Sequence, residues 1–172
     1  GLYDADCFWN ADPKGFFVCD LNGRMAGCIS AISYEPNFGF IGLFIVRPEY
    51  RGHRCGILLA NRAMDYLKGR LIGLEGVVAK QKQYGLAGFH HAHTNYRFAS
   101  TAEAPQDSPA EPIDTVPFNS ILEFDALCFP AKRESFLHQW FNMPNAIPLC
   151  LPDNGSIHGY GVIRACVQGD YR

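Results

Sequence analysis

The sequence predicts an α/β fold on three observations. A hairpin pattern stands near its start, a strand enters a helix through a glycine-containing turn, and helix and strand patterns alternate after that. Residues 16–21 read as a strand that stops at Asn22-Gly23, a strong two-residue hairpin signal. Residues 25–34 supply the return strand, Glu35-Pro36-Asn37 forms a turn, and residues 38–46 form a third strand ended by Pro48. The periodicity then becomes helical. Ile57, Leu58, Met64 and Leu67, with Ala60 and Ala63 between them, are expected along one side of a helix reaching Lys68, with Gly69 as its stop. A strand over 71–77, a short helix over 79–87 and a last strand over 90–98 complete this series.

A change of composition follows. Residues 99–117 are rich in Pro, Ala, Ser, Asp and Glu and read as a linker. Helices over 119–129 and 131–141, broken at Pro130, precede strands over 147–151 and 159–167 that are joined by Asp153-Asn154-Gly155. The expected organisation is a first domain at 1–98, a linker at 99–117 and the start of a second domain at 118–172, cut short before its closing elements. A length of 172 residues suits one domain plus part of another.

Composition narrows the function classes. Apolar residues at 48% and charged residues at 19% fit a globular core. A net charge of −2 and a pI near 6.3 lack the basic footprint of a nucleic-acid binder. The longest apolar runs, as at 38–46, fall far short of the ~20 residues that cross a bilayer, so no membrane partner is expected. The residues after Gly1 do not read as a signal peptide, and a cytoplasmic location is expected. Seven cysteines, an odd count without a CxxC pair, read as free thiols of a reducing compartment. No metal site is expected, and His90, His91 and His93 read as surface or strand-packing residues.

The segment that carries chemistry is Arg51-Gly52-His53-Arg54-Cys55-Gly56, between the third strand and the helix. A short turn into a helix leaves backbone N–H groups unpaired, and the positive end of the helix dipole joins them. Together they suit an anion such as a diphosphate. Gly52 and Gly56 allow close approach of the backbone, and Arg51 and Arg54 add positive charge. No Lys-Ser or Lys-Thr follows, so this is not a nucleotide-triphosphate P-loop, and the spacing of a dinucleotide fingerprint is missing.

This hexapeptide resembles the signature Arg/Gln-x-x-Gly-x-Gly/Ala of the GNAT superfamily of N-acetyltransferases, with Arg54 where the first signature glycine is usual. Phe44-Ile45-Val46-Arg47-Pro48-Glu49-Tyr50 precedes it, as in that family, and Tyr84-Gly85-Leu86-Ala87-Gly88-Phe89 is similar to the family's Tyr-x-x-x-Gly-Phe. Phe129-Pro130-Ala131-Lys132-Arg133-Glu134 and Gly159-Tyr160-Gly161-Val162-Ile163-Arg164 resemble the second, C-terminal domain of tandem members. The resemblance implies a mixed, mostly antiparallel central sheet flanked by helices, followed by a partial second GNAT-like domain. It also implies that the first strand and two helices of the fold lie before residue 1.

Acetyl-CoA is the implied donor and a primary amine of a small molecule or protein the implied acceptor, attacking the thioester directly; a homodimer is an open alternative. Phe44, Ile45 and Val46 would hold the pantetheine arm through backbone groups, and a strand N–H there could serve the thioester oxygen. Arg51, Gly52, His53, Arg54, Cys55 and Gly56 would hold the diphosphate, and Tyr84 would protonate the leaving thiolate. Glu35 and Glu75 are weaker candidates for a base, and Asp4 and Asp6 for contact with the amine. A non-catalytic acyl-CoA sensor is the alternative. The second domain, without the signature, is expected to shape the acceptor cleft or to pack on the first.

Overall fold

A computed structural model describes residues 2–98, 101 and 107–166. Helix α1 (Asp4–Ala11) leads through a turn into β1 (Phe16–Leu21), β2 (Arg24–Tyr34) and β3 (Phe38–Val46). Asn22 and Gly23 both take positive φ, 54° and 77°, as a tight hairpin turn requires. Helix α2 (Cys55–Tyr66) crosses back to β4 (Leu71–Leu74), and α3 (Gln81–Leu86) follows. The sheet order is β1-β2-β3-β4, antiparallel except for the parallel pair β3–β4. This is the mixed, mostly antiparallel sheet that the sequence led us to expect.

Helix α2 lies on the sheet by a face that shares only Ala63 and Leu67 with the core residues of the expected one. Cys55, Leu59, Ala63 and Leu67, spaced four apart, are buried, whereas Ile57 and Leu58 stay more than half exposed. Leu59, Ala63 and Leu67 pack with Ile29, Ala31 and Ile41 of the strands. Burying a side chain such as Leu67 contributes roughly 1.5–3 kcal/mol. Gly39 lets the helix end settle, since a Cβ there would lie 2.6 Å from Leu67 Cδ2. Two other expectations need correction. The strand at 71–77 ends at Leu74, and residues 90–98 form no strand. Among the described residues β4 has no partner on its outer side, and a strand without a ladder partner does not form in water.

The second half begins earlier than expected. Within the segment read as linker, β5 (Glu111–Pro112) pairs with β6 (Ala146–Asp153), and Ile113 and Val116 are buried. Helices α4 (Phe118–Cys128) and α5 (Glu134–Phe141) precede β6 and β7 (Ser156–Arg164), giving a sheet of order β5-β6-β7. The strand expected at 159–167 thus falls within β7 as far as Arg164, and residue 167 lies outside the described residues.

The halves share one core. Cys7, Ile32, Tyr34 and Phe38 cluster with Ala131, Phe136, Leu137 and Met143. Phe129 meets Tyr34 and Phe38 edge-on at 5.3 and 5.2 Å. The second half therefore packs on the first. Among the described residues no helix is long and apolar enough to cross a membrane, and all seven cysteines are free thiols.

Candidate functional site

The turn between β3 and α2 sets the site. A short 3-10 helix (Pro48–Tyr50) reverses the chain, and the N–H groups of Arg51 and His53 donate back to Pro48 O (3.2 Å) and Tyr50 O (3.4 Å). The first bond into α2 runs from Leu58 N to Arg54 O at 3.1 Å. Among the described residues, the amides of Gly52, Arg54, Cys55, Gly56 and Ile57 meet no acceptor. Gly52 takes φ +86°, and Arg54 takes φ 64° at the N-cap, the left-handed conformation that a glycine would adopt there without strain. An arginine in that conformation costs roughly 1–2 kcal/mol.

Strand β3 forms the other wall. Its pairing with β4 stops at Ile41, so, among the described residues, 42–46 have no strand neighbour on that side. On the β2 side, Cys28 pairs with Ile45 and Ser30 with Gly42, which places Leu43 and Phe44 opposite Ile29 alone. This bulge puts Leu43 at φ 46°, and the Cys28 thiol donates to Leu43 O at 3.5 Å. Past the bulge, Phe44 and Ile45 are exposed. Gly56 joins the two walls: a Cβ there would sit 3.6 Å from Val46 Cγ2 and 3.7 Å from Phe44 Cζ. Alanine fits; a longer side chain would push the walls apart. Arg51 Nε donates to Val46 O at 3.1 Å, tying the loop to the strand end.

Three of the nine expected cofactor residues line one cleft, and three more lie close together where β3 faces the start of α2. Gly52, His53 and Arg54 line an open cleft of about 820 Å³, while a Cβ on Gly56 would lie in contact distance of Phe44 and Val46. Arg51 is bound to the strand, Cys55 is buried and Ile45 is exposed on β3. The cleft's far wall was not foreseen. It is the β1–β2 hairpin, with Leu21, Asn22 and Arg24. Asn22-Gly23 announced the turn, but nothing local could announce that it faces the helix start. Glu49, also in the cleft, pairs with Arg47 at 2.9 Å.

Tyr84 lies half-buried on α3 against Gly76, where a Cβ would come within 2.3 Å of its ring. Its hydroxyl has no hydrogen-bond partner among the described residues. The motif around it has a structural role as well. Gly88, at φ +92°, closes α3, with Phe89 N donating to Tyr84 O (3.0 Å) and Gly88 N to Gly85 O (3.1 Å). The acidic candidates do not gather at the cleft. Asp4 forms an ion pair with Arg164 of β7, Glu75 accepts from Asn95 Nδ2 at 3.0 Å, and Glu35 is exposed in the turn after β2. Asp6 is exposed, its backbone carbonyl accepting from Asn10 Nδ2. His90, His91 and His93 are exposed, and no group of metal-binding side chains occurs among the described residues.

A mixed sheet with a broken strand pair, and a helix entered through open amides, define an acyltransferase-type fold, and comparison with known proteins agrees. Residues 2–93 match the acetyltransferase (GNAT) family, and the chain belongs to it. Residues 121–171 match an acetyltransferase (GNAT) domain, in keeping with a tandem arrangement. Holothin acyltransferase of Pseudoalteromonas sp. (strain SANK 73390) is 25% identical over 171 residues, 98% of this chain and 58% of that protein. An uncharacterized N-acetyltransferase of Methanocaldococcus jannaschii is 34% identical over 65 residues, 34% of this chain and 29% of that protein. The chain therefore spans little more than half of the first relative and less of the second. A solved structure of a candidate acetyltransferase from Pyrococcus horikoshii superposes with a TM-score of 0.72 at 18% identity, covering 94% of this chain and 56% of that one; the likeness is one of fold.

Proposed function

We propose that this chain carries the donor site of an N-acetyltransferase that takes acetyl-CoA and passes its acetyl group to a primary amine of a small molecule or protein. The observation that carries this reading is the row of amides that meet no acceptor among the described residues, at Gly52 and from Arg54 to Ile57, next to the end of β3 beyond its pairing with β4. Diphosphate oxygens suit those amides, and an extended amide-bearing arm suits the unpartnered strand edge at 42–46. Acetyl-CoA would supply the activated thioester carbonyl. The chain's own part is to hold it and manage charge. The bulge at Leu43 and Phe44 frees backbone groups from the ladder, and an N–H there could stabilise charge on the thioester oxygen. Tyr84, whose phenol meets no partner among the described residues, would give its proton to the departing thiolate.

The test is calorimetry with coenzyme A followed by thiol release from acetyl-CoA over a panel of amines. Tight binding and turnover are expected, with Tyr84→Phe lowering kcat about 100-fold or more at unchanged KM. Binding with no turnover on any amine would favour the acyl-CoA sensor instead. That reading has one observation behind it: the single carboxylate lining the cleft, Glu49, is held by Arg47. No binding at all would remove both.

A further inference from the structure

Strand β3 carries one residue more than β2 can pair, and close contacts clamp both sides of the excess. Before it, Ser30 pairs with Gly42, and a Cβ on Gly42 would lie 3.2 Å from Ser30 Oγ. After it, Cys28 pairs with Ile45 and Gly27 with Val46, and a Cβ on Gly27 would come within 2.6 Å of Ile45 O. The flanks hold their register, so the distortion is confined to Leu43 and Phe44. Leu43 absorbs it with a φ of 46°, a left-handed conformation that a leucine keeps only when its surroundings hold it there.

One side chain does the holding. Half-buried Cys28 donates from Sγ to Leu43 O at 3.5 Å, and no other side chain among the described residues bonds to that carbonyl. The peptide between Leu43 and Phe44 is trans, so its N–H points opposite to its carbonyl. A carbonyl anchored by a thiol of β2 therefore turns the Phe44 N–H away from that thiol. On the other side of β3 the pairing with β4 has already stopped, at Ile41.

We infer that Cys28 is a positioning residue for acetyl transfer: by holding the Leu43 carbonyl, its thiol fixes the direction of the Phe44 N–H that serves the thioester oxygen. The inference rests on the proposed function and deepens it, since it names the side chain on which that backbone donor depends. Cys28 touches neither substrate nor reacting atoms and forms no bond to the acyl group. A backbone donor stabilises developing charge to the extent that it is aimed before the reaction begins. A strained peptide released from its anchor would have its N–H elsewhere for part of the time.

Three variants of the 172-residue chain test this: Cys28→Ala removes the donor, Cys28→Val removes it but fills the space, and Cys28→Ser keeps a donor. Triple-resonance NMR of the free chain should show the Cα and Cβ shifts of a left-handed Leu43 in the parent and in Cys28→Ser. In Cys28→Ala and Cys28→Val those shifts should move toward extended strand. In thiol release from acetyl-CoA with an amine, both non-donor variants should lower kcat about tenfold with KM for acetyl-CoA within about twofold of the parent, and Cys28→Ser should return to within about threefold. A purely structural role would instead lower the melting temperature without separating kcat from KM. Left-handed Leu43 shifts retained in the non-donor variants would overturn the inference. So would a kcat equal to the parent's in either of them, or a serine variant no better than alanine. With an active parent, each of these results leaves the acetyltransferase reading standing; a parent that binds no coenzyme A, or turns over no amine, removes both.

Discussion

Arg54 and Arg133 both occupy the N-cap of a helix, α2 in the first half and α5 in the second, and the two halves use them in opposite ways. A cation at that end opposes the helix dipole, so each position is electrostatically unfavourable unless something negative answers it. For Arg133 the answer is internal. Its Nε and Nη2 donate to the two oxygens of buried Asp125, both at 2.8 Å, and Tyr160 donates to Asp125 Oδ1 at 2.5 Å. Phe129 and Phe136 lie under the guanidinium at 4.1 and 5.1 Å. Burial alone would lower the Arg133 pKa, but the Asp125 charge and hydrogen bonds outweigh it and raise it. The same carboxylate, after burial, pushes the Tyr160 phenol above its ordinary range.

For Arg54 no answer comes from the described residues. It is exposed, in a left-handed conformation, beside amides that also lack acceptors. The contrast separates polar groups satisfied within the fold from polar groups that meet no partner among the described residues. A saturated network stabilises by being complete, since it leaves no buried charge unanswered.

The comparison breaks most visibly at Asp125. Asp125→Ala leaves Arg133 buried without its counter-charge, a loss of about 3–5 kcal/mol. Because the halves share a core, urea unfolding should move both together in one transition to a lower midpoint. An unchanged midpoint would mean that the pair does not hold the seam. At the other N-cap the sign reverses. Arg54→Gly relieves left-handed strain and should stabilise the chain by about 1 kcal/mol, while coenzyme A affinity falls with the lost charge. A variant that loses stability would show that Arg54 serves the fold after all.

The smallest expected effect concerns Cys7, in the shared core. Burial, with Asp4 and Asp6 adding to it, raises its thiol from 9.0 to about 11. A raised folded pKa means that its contribution is complete below pH 9.0 and lost as pH climbs toward about 11. Cys7→Ala should therefore flatten the decline of the urea midpoint across that window, and an unaltered slope would place the alkaline sensitivity elsewhere.

Much of the site was legible because it is written locally. Asn22-Gly23 and Asn154-Gly155 demand positive φ and obtain it, and the run from Val46 to Gly56 turns a strand into a helix over a few residues. The Leu43 bulge left no such mark, since it exists only through a two-against-one register with Ile29. Helix α1 was not foreseen either: it has eight residues and one buried side chain, Cys7, and it leans on α5 through Phe8 against Phe136 at 5.2 Å.

What the sequence determined alone was the run of elements from β1 to α3, the turns and the residues of the amide loop, because those follow from backbone preference and short-range periodicity. Which face of α2 is buried, the failure of residues 90–98 to form a strand, the placing of the β1–β2 hairpin on the same cleft as the amide loop and the joining of two halves by one core were decided by tertiary structure. Each depends on a partner distant in the chain, and no local pattern encodes what a residue will find opposite it once the chain has folded.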